Sequence, residues 1–138
     1  MKVTARPLDS LDREKLVDLV YSIFPEGHSH WEIQKEIEES LLDAVEDCSA
    51  VAWRGDKPVG IIIVVGRDGL LLEHLGVLDN HRRMGIGRML LRFTLDNTED
   101  PMKSRVQKGN EPTKELLKEE GFEIDEEHDE YLLYKYER

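Results

Sequence analysis

The spacing of apolar residues changes several times along the chain, and each change predicts a new element. Between residues 11 and 45 apolar side chains recur every three or four positions, which is typical of two amphipathic helices. Between residues 50 and 77 they form three short β-rich runs separated by Gly/Asp turns, which indicates an antiparallel meander. The predicted helices cover about residues 11–23, 29–45, 86–93 and 112–120, and the predicted strands about 3–8, 50–53, 59–65, 70–77, 103–107, 122–124 and 131–136.

The turn before the third predicted helix carries the most specific chemistry of the chain. Gly85 and Gly87 stand one residue apart, and Arg82, Arg83 and Arg88 flank them. The first turn of a helix has backbone N–H groups without intrahelical partners and a partial positive charge, so the main chain alone can hold an anion there. The two glycines remove side chains that would block this approach. The pattern therefore predicts a phosphate cradle.

Known phosphate motifs can be compared with this turn letter by letter. A dinucleotide fingerprint needs a third glycine where Leu90 stands, and a P-loop needs a Gly-Lys-Ser/Thr sequence that the chain lacks. The sequence Arg82-x-x-Gly85-x-Gly87 after a strand instead resembles the acyl-coenzyme A loop of the GCN5-related N-acetyltransferase (GNAT) superfamily.

A second stretch adds to the resemblance. Asn110-Glu111-Pro112 is followed by a short helical segment and Gly121-Phe122, which looks like the superfamily's second signature, in which an Asn ends the fifth strand and a helix closes on Gly-Phe. The resemblance implies an α/β (α+β) fold, with a mixed, mostly antiparallel central sheet of six to seven strands flanked by about four helices. The implied order is β-α-α-β-β-β-α-β-α-β-β, in one N-acetyltransferase domain over residues 1–138.

The resemblance also implies acetyl-coenzyme A as the acyl donor. Its pyrophosphate would rest on backbone amides of the turn, and its pantetheine arm would bond free backbone groups of the fourth strand, where that strand splays from the fifth. An amide near residues 75–77 would polarise the thioester carbonyl, and the arginines of the turn would add contacts to phosphate. The implied donor-binding residues are Leu75, Val77, Leu78, Arg82, Arg83, Met84, Gly85, Ile86, Gly87, Arg88 and Asn110.

Transfer of an acetyl group to a primary amine also needs a base, because a free alkylammonium has a pKa of about 10.4. Glu73 is the candidate, since it interrupts the apolar run Leu70–Leu72 and a carboxylate is costly to bury unpaired. The alternative, that Glu73 faces solvent or pairs with an arginine, carries equal weight. His74 is expected on the opposite face of the strand, with a structural role.

One position departs from the superfamily's pattern. The helix that ends at Gly121 often carries a tyrosine four residues earlier, thought to protonate the departing thiolate, and this chain has Leu117 there. Tyr131 and Tyr134 are candidate substitutes without positional support, and strand tyrosines usually pack. The departure keeps two alternatives open beside the enzyme: a non-catalytic acyl-coenzyme A sensor and a protein-interaction module.

Composition narrows the class of partners. The 138 residues carry a formal net charge of −11, which argues against a nonspecific nucleic-acid binder and mildly favours cationic acceptors. No apolar run reaches the length of a membrane span and the start lacks a signal peptide's apolar core, so a cytoplasmic protein without membrane association is expected. Cys48, the single cysteine, is expected to be a buried hydrophobe. Since superfamily members are often dimers, a homodimer stays an open alternative.

The resemblance places the connection of residues 24–31 over the acceptor site, where His28, His30 and Trp31 would contact substrate. The more ordinary interpretation is two surface histidines and a tryptophan that staples the helix start. No metal site is assigned, because the histidines lack a further ligand at convincing spacing. The region around residues 124–131 is the second expected acceptor loop.

Overall fold

The structure is a computed structural model that describes residues 2–25 and 29–137. Its strands are β1 (Val3–Arg6), β2 (Ala50–Arg54), β3 (Lys57–Gly66), β4 (Leu70–Val77), β5 (Met102–Gln107), β6 (Glu123–Glu127) and β7 (Tyr131–Tyr136). Its α-helices are α1 (Arg13–Ile23), α2 (His30–Asp43), α3 (Ile86–Asp96) and α4 (Glu111–Glu119). Single 3-10 turns lie at Leu8–Ser10, Glu46–Cys48 and Asp79–His81.

The strands form one sheet in the order β1-β2-β3-β4-β5-β7-β6, in which β4 and β5 are parallel and the other neighbours antiparallel. The predicted fold class and element order are confirmed. The parallel pairing of β4 with β5 covers only Leu70–Leu72 against Met102–Ser104. Beyond Leu72 the two strands separate, so the sheet opens a gap between them.

Hydrophobic clusters cover both faces of the sheet. One cluster joins α3 and α4 to the sheet and includes Leu90, Leu91 and Leu117, and the other joins α1 and α2 to the opposite face and includes Val20 and Ile37. Strand β3 is buried on both faces, which explains why its sequence is a continuous apolar run rather than an alternating one. Each aliphatic side chain buried in this way contributes about 1.5–3 kcal/mol to folding.

The helix starts follow local hydrogen-bond chemistry. The carboxylate of Asp12 caps α1 by accepting from the amide of Lys15 at 2.9 Å. Asp9 and Ser10 belong to the separate 3-10 turn Leu8–Ser10 and do not cap α1. Ser29 and Glu32 form a capping box at the start of α2. That helix ends at Asp43, two residues before the predicted end at Val45.

Strand β4 contains a bulge at Glu73. His74 pairs with Ile63 and Leu72 pairs with Val64, so Glu73 is the extra residue between two consecutive partners on β3. A bulge interrupts the alternation of side chains along a strand. The interruption lies one residue beyond the last parallel pair of β4 with β5, which places the irregular backbone at the mouth of the gap.

Among the residues described, none of the helices combines the length and the apolar character that crossing a membrane requires.

Candidate active site

Two adjoining cavities open where β4 and β5 separate. The strand cavity, of about 630 Å³, is bounded by α1, α2, β4 and β5. The turn cavity, of about 940 Å³, is bounded by the end of β4 and the starts of α3 and α4. The residues that line both cavities are Phe24, Leu75, Asp79, Arg82, Asn110 and Thr113. A molecule bound in the turn cavity can therefore present one end to the strand cavity.

The start of α3 presents bare main chain to the turn cavity. Gly85 caps the helix with φ of +78°, a left-handed conformation that disfavours other residues, and no side chain caps the helix. The helix's first backbone bond runs from the amide of Met89 to the carbonyl of Gly85, at 3.0 Å. The amides of Ile86, Gly87 and Arg88 therefore precede the first intrahelical bond. Since the first turn carries no acidic side chain, its partial positive charge is uncompensated.

The arginines around this turn differ in their partners. Arg83 forms no ion pair with any residue in the described ranges, and its φ of +65° places it in the left-handed region. Arg82 pairs with Asp79 at 3.2 Å. Arg88 is bound to Glu119 on α4, so a phosphate at Arg88 would compete with that carboxylate. Arg83 is consequently the cation of the turn with the least competition.

Arg92, one turn farther along α3, pairs with Glu120 at 2.8 Å. This position is outside both cavities. Arg92 is therefore neutralised by Glu120 away from the site.

The edge of β4 that faces the gap presents main-chain groups at alternate residues. The amide of Leu78 donates to the carbonyl of Val59 at 2.8 Å, so Leu78 and, two residues before it, Gly76 direct their groups towards β3. Leu75 and Val77 therefore direct theirs towards the gap, where the carbonyl of Val77 already accepts from Nε of Arg82 at 3.3 Å. The inclusion of Leu78 among the free groups is wrong, because its carbonyl also accepts from the amide of His81.

The remaining predicted donor residues divide between the cavity and its surroundings. Asn110 lines both cavities and caps α4, since its side-chain oxygen accepts from the amide of Thr113 at 3.3 Å. Met84 lines neither cavity, and 47% of the surface of this residue is exposed. Met84 is thus placed beside the turn rather than in its concave side.

Gly76 has a role that the sequence reasoning missed. A Cβ atom built at Gly76 would lie 2.5 Å from Ile23 and 2.7 Å from the ring of Phe24. The absence of a side chain lets the end of α1 approach β4 closely enough for Phe24 to line both cavities. Its sequence signal was an isolated glycine inside a strand, a pattern that indicates close approach of another segment.

Glu73 lines the strand cavity and is held by two donors. Its Oε2 accepts from Nη1 of Arg67 at 3.0 Å, and its Oε1 accepts from the hydroxyl of Ser40 at 2.5 Å. Arg67 also donates to Asp43 at 2.8 Å. The alternative of pairing with an arginine is therefore observed, yet the Glu73 side chain keeps 23% of its surface exposed. The carboxylate is both neutralised and accessible.

His74 lies beside Glu73 rather than on the opposite face. Its Nε2 is 3.0 Å from the same Ser40 hydroxyl and 3.9 Å from the Glu73 carboxylate, and His74 is among the residues that line the strand cavity. The expected alternation is wrong because of the bulge at Glu73. Burial lowers the pKa of His74 below its ordinary 6.5; the Glu73 carboxylate opposes this shift and Arg67 adds to it.

Leu117 is fully buried in the cluster under α3 and α4 and lines neither cavity. Tyr134 is buried in the same cluster, and Tyr131 packs under the guanidinium of Arg105 at 4.8 Å. Among the described residues, the linings of the two cavities contain no tyrosine. The structure therefore offers no tyrosine hydroxyl in place of the one that Leu117 lacks.

The expected acceptor loops are only partly placed at the site. Phe24 and Pro25 line the strand cavity, whereas His28 lies outside the described residues. His30 pairs with Asp18 at 2.9 Å, and Trp31 is 66% exposed, so the predicted staple at the helix start is wrong. No residue of 124–131 lines either cavity, because β6 is the edge strand and β7 separates it from β5.

Within residues 2–25 and 29–137, no group of three or more histidine, cysteine, aspartate or glutamate side chains is arranged to hold a metal ion. Cys48, the single cysteine, is buried in the cluster that contains α3, and burial raises the pKa of its thiol.

Comparison with known proteins places these features in a family. The model of the acetyltransferase (GNAT) family matches residues 13–122 of the chain. None of the curated protein sequences compared with the chain matches it.

Solved structures resemble the whole chain. PH1933 from Pyrococcus horikoshii OT3 has a TM-score of 0.85 and 22% identity, over 99% of each chain. Naa50 from Arabidopsis thaliana, in complex with the bisubstrate analogue CoA-Ac-MVNAL, has a TM-score of 0.78 and 22% identity over 100% of each chain. PaiA N-acetyltransferase from Thermoplasma acidophilum, in complex with coenzyme A, has a TM-score of 0.76 and 15% identity over 100% of each chain. These likenesses show a shared fold.

Proposed function

Because the chain belongs to the acetyltransferase (GNAT) family, we propose that it is an N-acetyltransferase that moves an acetyl group from acetyl-coenzyme A to a primary amine. The observation that carries the proposal is the pair of cavities that meet at the gap between β4 and β5. One cavity has a main-chain anion site, and the other has a carboxylate and an imidazole. The proposal assigns the activity to one domain, residues 1–138.

The turn cavity is the proposed donor site. The amides of Ile86, Gly87 and Arg88 would hold the pyrophosphate, with Arg83 as its nearest uncommitted cation. The pantetheine arm would run along Leu75 and Val77 towards the shared residues of the two cavities. The coenzyme A complex of the PaiA enzyme, which has the same fold, supports this choice of ligand.

The strand cavity is the proposed acceptor site, where the carboxylate of Glu73 supports proton removal from the acceptor. The acceptor amine would attack the thioester carbonyl directly, and the amide of Leu75 or Val77 would bond the developing oxyanion. The departing thiolate needs no tyrosine, because a thiol with a pKa of about 8.5 is a fair leaving group in water.

The class of acceptor is bounded by the lining of the strand cavity. Glu36, Glu73 and Asp79 lie there together with Arg82 and Arg105, so the cavity itself carries both signs of charge. The net charge of −11 attracts cations at longer range. The Naa50 analogue joins coenzyme A and an acetyl group to the letters MVNAL, which places peptide amines among the candidates beside small amines.

A binding measurement and a turnover measurement together test the proposal. We expect acetyl-coenzyme A to bind in calorimetry, and free thiol to accumulate when acetyl-coenzyme A is mixed with a panel of polyamines, amino acids and peptides with free N-termini. Absence of both binding and thiol release contradicts the proposal. Product mass must increase by one acetyl group on nitrogen, which distinguishes transfer from simple thioester hydrolysis.

One observation favours a second candidate function. Leu117 is buried and no described tyrosine lines either cavity, so the site has no tyrosine hydroxyl to protonate the departing thiolate. A protein that binds acyl-coenzyme A without turning it over would have no use for such a hydroxyl. This sensor shares the donor site with the enzyme. Binding without thiol release for every acceptor supports the sensor, whereas robust turnover with any amine eliminates it.

A further inference from the structure

The hydroxyl of Ser40 joins the two titratable side chains of the strand cavity that lie on the bulge. Ser40 is on α2 and is fully buried, and its Oγ lies 2.5 Å from Oε1 of Glu73 and 3.0 Å from Nε2 of His74. Arg67, from the turn between β3 and β4, occupies the other carboxylate oxygen. Three segments thus form one network, in which Ser40 links Glu73 to the imidazole of His74.

The hydrogen atoms of this network can be assigned from its donors and acceptors. A carboxylate paired with a guanidinium only accepts, so the single hydroxyl hydrogen of Ser40 is directed to Glu73. The oxygen of Ser40 can then only accept from His74, which requires a hydrogen on Nε2. In the neutral ring the lone pair is consequently on Nδ1.

We propose that His74 is the catalytic base and that it takes the proton of the acceptor at Nδ1, while Ser40 and Glu73 are positioning residues that fix the Nε2–H tautomer. This inference rests on the proposed acetyl transfer. It differs from proton transfer to Glu73 itself, since each oxygen of that carboxylate already accepts a hydrogen bond, from Ser40 and from Arg67.

The proton and electron pairs balance in the following sequence. The acceptor ammonium gives one proton to Nδ1 of His74, and the former N–H pair becomes the lone pair of the amine. That pair forms the C–N bond, and the C–S bond breaks with its electrons on sulfur. The second proton leaves the nitrogen and reaches the thiolate through water, which gives the amide and free coenzyme A. The imidazolium then returns its proton to solvent.

The surroundings of His74 suit this role. Two charged groups act directly on it, Glu73 on its own strand and Arg67 from the preceding turn. The other charged residues of the strand cavity are Glu36 on α2, Asp79 and Arg82 after β4, and Arg105 on β5. Burial, the largest influence, lowers the pKa below 6.5, so the ring is neutral at pH 7 and can accept a proton. When it does, the carboxylate 3.9 Å away stabilises the imidazolium.

The first test is spectroscopic and needs no substrate. In protein labelled with nitrogen-15 at histidine, we expect His74 at pH 7.5 to show the Nε2–H tautomer in wild type and a mixture of tautomers in Ser40→Ala. His81 serves as the internal reference, because it lies outside this network and its Nδ1 is 2.7 Å from the side-chain oxygen of Asn80. Ser49→Ala, which removes a buried hydroxyl elsewhere, is the matched control and should leave His74 unchanged. An Nδ1–H tautomer in wild type overturns the proposal.

The second test compares pH profiles of turnover. The active form is the neutral imidazole, so kcat/KM should rise with pH through the pKa of His74 and level off above it, with the rise below pH 6.5. We expect His74→Gln to lower kcat/KM about 1000-fold and to abolish this acid limb. Glu73→Gln and Ser40→Ala should lower it about 30-fold and 10-fold and move the limb, because the tautomer and the imidazolium lose support.

The outcomes separate this inference from the proposed function. If His74→Gln stays within twofold of wild type while Glu73→Gln abolishes the limb, Glu73 is the base and the inference is wrong. If no variant and no wild-type preparation turns over any amine, the proposed function fails and the base role fails with it. If turnover depends on neither His74 nor Glu73, the inference is wrong and the proposed function still stands.

Discussion

The turn cavity and the strand cavity meet at the same gap in the sheet but are built in different ways. The turn cavity is lined at its anion site by main chain from one contiguous segment, residues 85–88. The strand cavity depends on side chains from three segments, which are Ser40 on α2, Arg67 in the turn before β4, and Glu73 on β4. Ser40 and Glu73 stand 33 positions apart in the chain. A main-chain site is damaged by adding atoms or charge, whereas a side-chain site is damaged by removing them.

The largest effect on donor binding is expected from adding a side chain to the turn. Gly85→Asp should weaken acetyl-coenzyme A binding about 100-fold, because it places a carboxylate at a helix start that holds phosphate and strains a residue at φ +78°. That factor corresponds to about 2.7 kcal/mol. Calorimetry measures the dissociation constant, and stabilisation by coenzyme A in a thermal melt should disappear as well.

Gly55→Asp is the matched control for this change. Gly55 also has positive φ, +65°, but lies in the turn between β2 and β3 and lines neither cavity. It should bind acetyl-coenzyme A like wild type. Equal weakening in both variants would show that backbone strain, rather than loss of the anion site, causes the effect. Retained affinity in Gly85→Asp would contradict the location of the donor.

The opposite asymmetry is expected in the strand cavity. Glu73→Gln should lower kcat/KM about 30-fold, since it removes the charge that supports proton transfer. It should leave the dissociation constant of acetyl-coenzyme A within about twofold, because Glu73 lines the strand cavity and not the turn cavity. Calorimetry and steady-state rates on the same preparation decide the point. A parallel loss of donor affinity would show that the two cavities are energetically one site.

The arginines of the turn sharpen the comparison, because their partners differ. Arg83→Ala should weaken acetyl-coenzyme A binding about 5- to 10-fold, since Arg83 has no competing carboxylate among the described residues. Arg88→Ala should weaken it about twofold or less, because Glu119 already neutralises Arg88. The difference should shrink as salt increases. Equal effects of the two substitutions would show that Arg88 leaves Glu119 when the donor binds.

Residues that form one local signal could be predicted from the sequence, and residues brought together by tertiary contacts could not. The order of elements follows from apolar spacing, and the open turn follows from Gly85 and Gly87 standing beside arginines. The bulge at Glu73 leaves no mark in the sequence, because an inserted residue in a buried strand is still a buried strand residue. For that reason alternation put His74 on the wrong face and gave no indication of Ser40.

The sequence does not show which main-chain groups of β4 face the gap, because this depends on how the hydrogen bonds between β3 and β4 alternate. A family resemblance can indicate a strand edge, but only the pairing of β3 with β4 shows that Leu75 and Val77 face the gap while Leu78 faces β3. The acceptor loops were misplaced for a comparable reason. Residues 124–131 belong to the β6–β7 hairpin, and only the strand order shows that β5 and β7 stand between β6 and the gap.

The smallest effect on turnover is expected where the chain departs from its family's signature. Leu117→Tyr restores the usual residue, yet Leu117 is fully buried between α4 and the sheet and lines neither cavity. A larger, polar side chain there has no free volume, so we expect a loss of about 1–3 kcal/mol in unfolding free energy.

Turnover in Leu117→Tyr should stay at or below the wild-type value, because the added hydroxyl starts from the core and not from the cavity. Denaturant unfolding and kcat measured at a temperature where the variant is folded check the two parts separately. Leu117→Met, similar in volume, is the control and should change neither quantity by more than about 1.5 kcal/mol or twofold. A rise in kcat for the tyrosine variant would mean that α4 shifts to admit the hydroxyl to the thioester. In that case the wild-type site would lack a proton donor for the departing sulfur, and the fold could accept one at position 117.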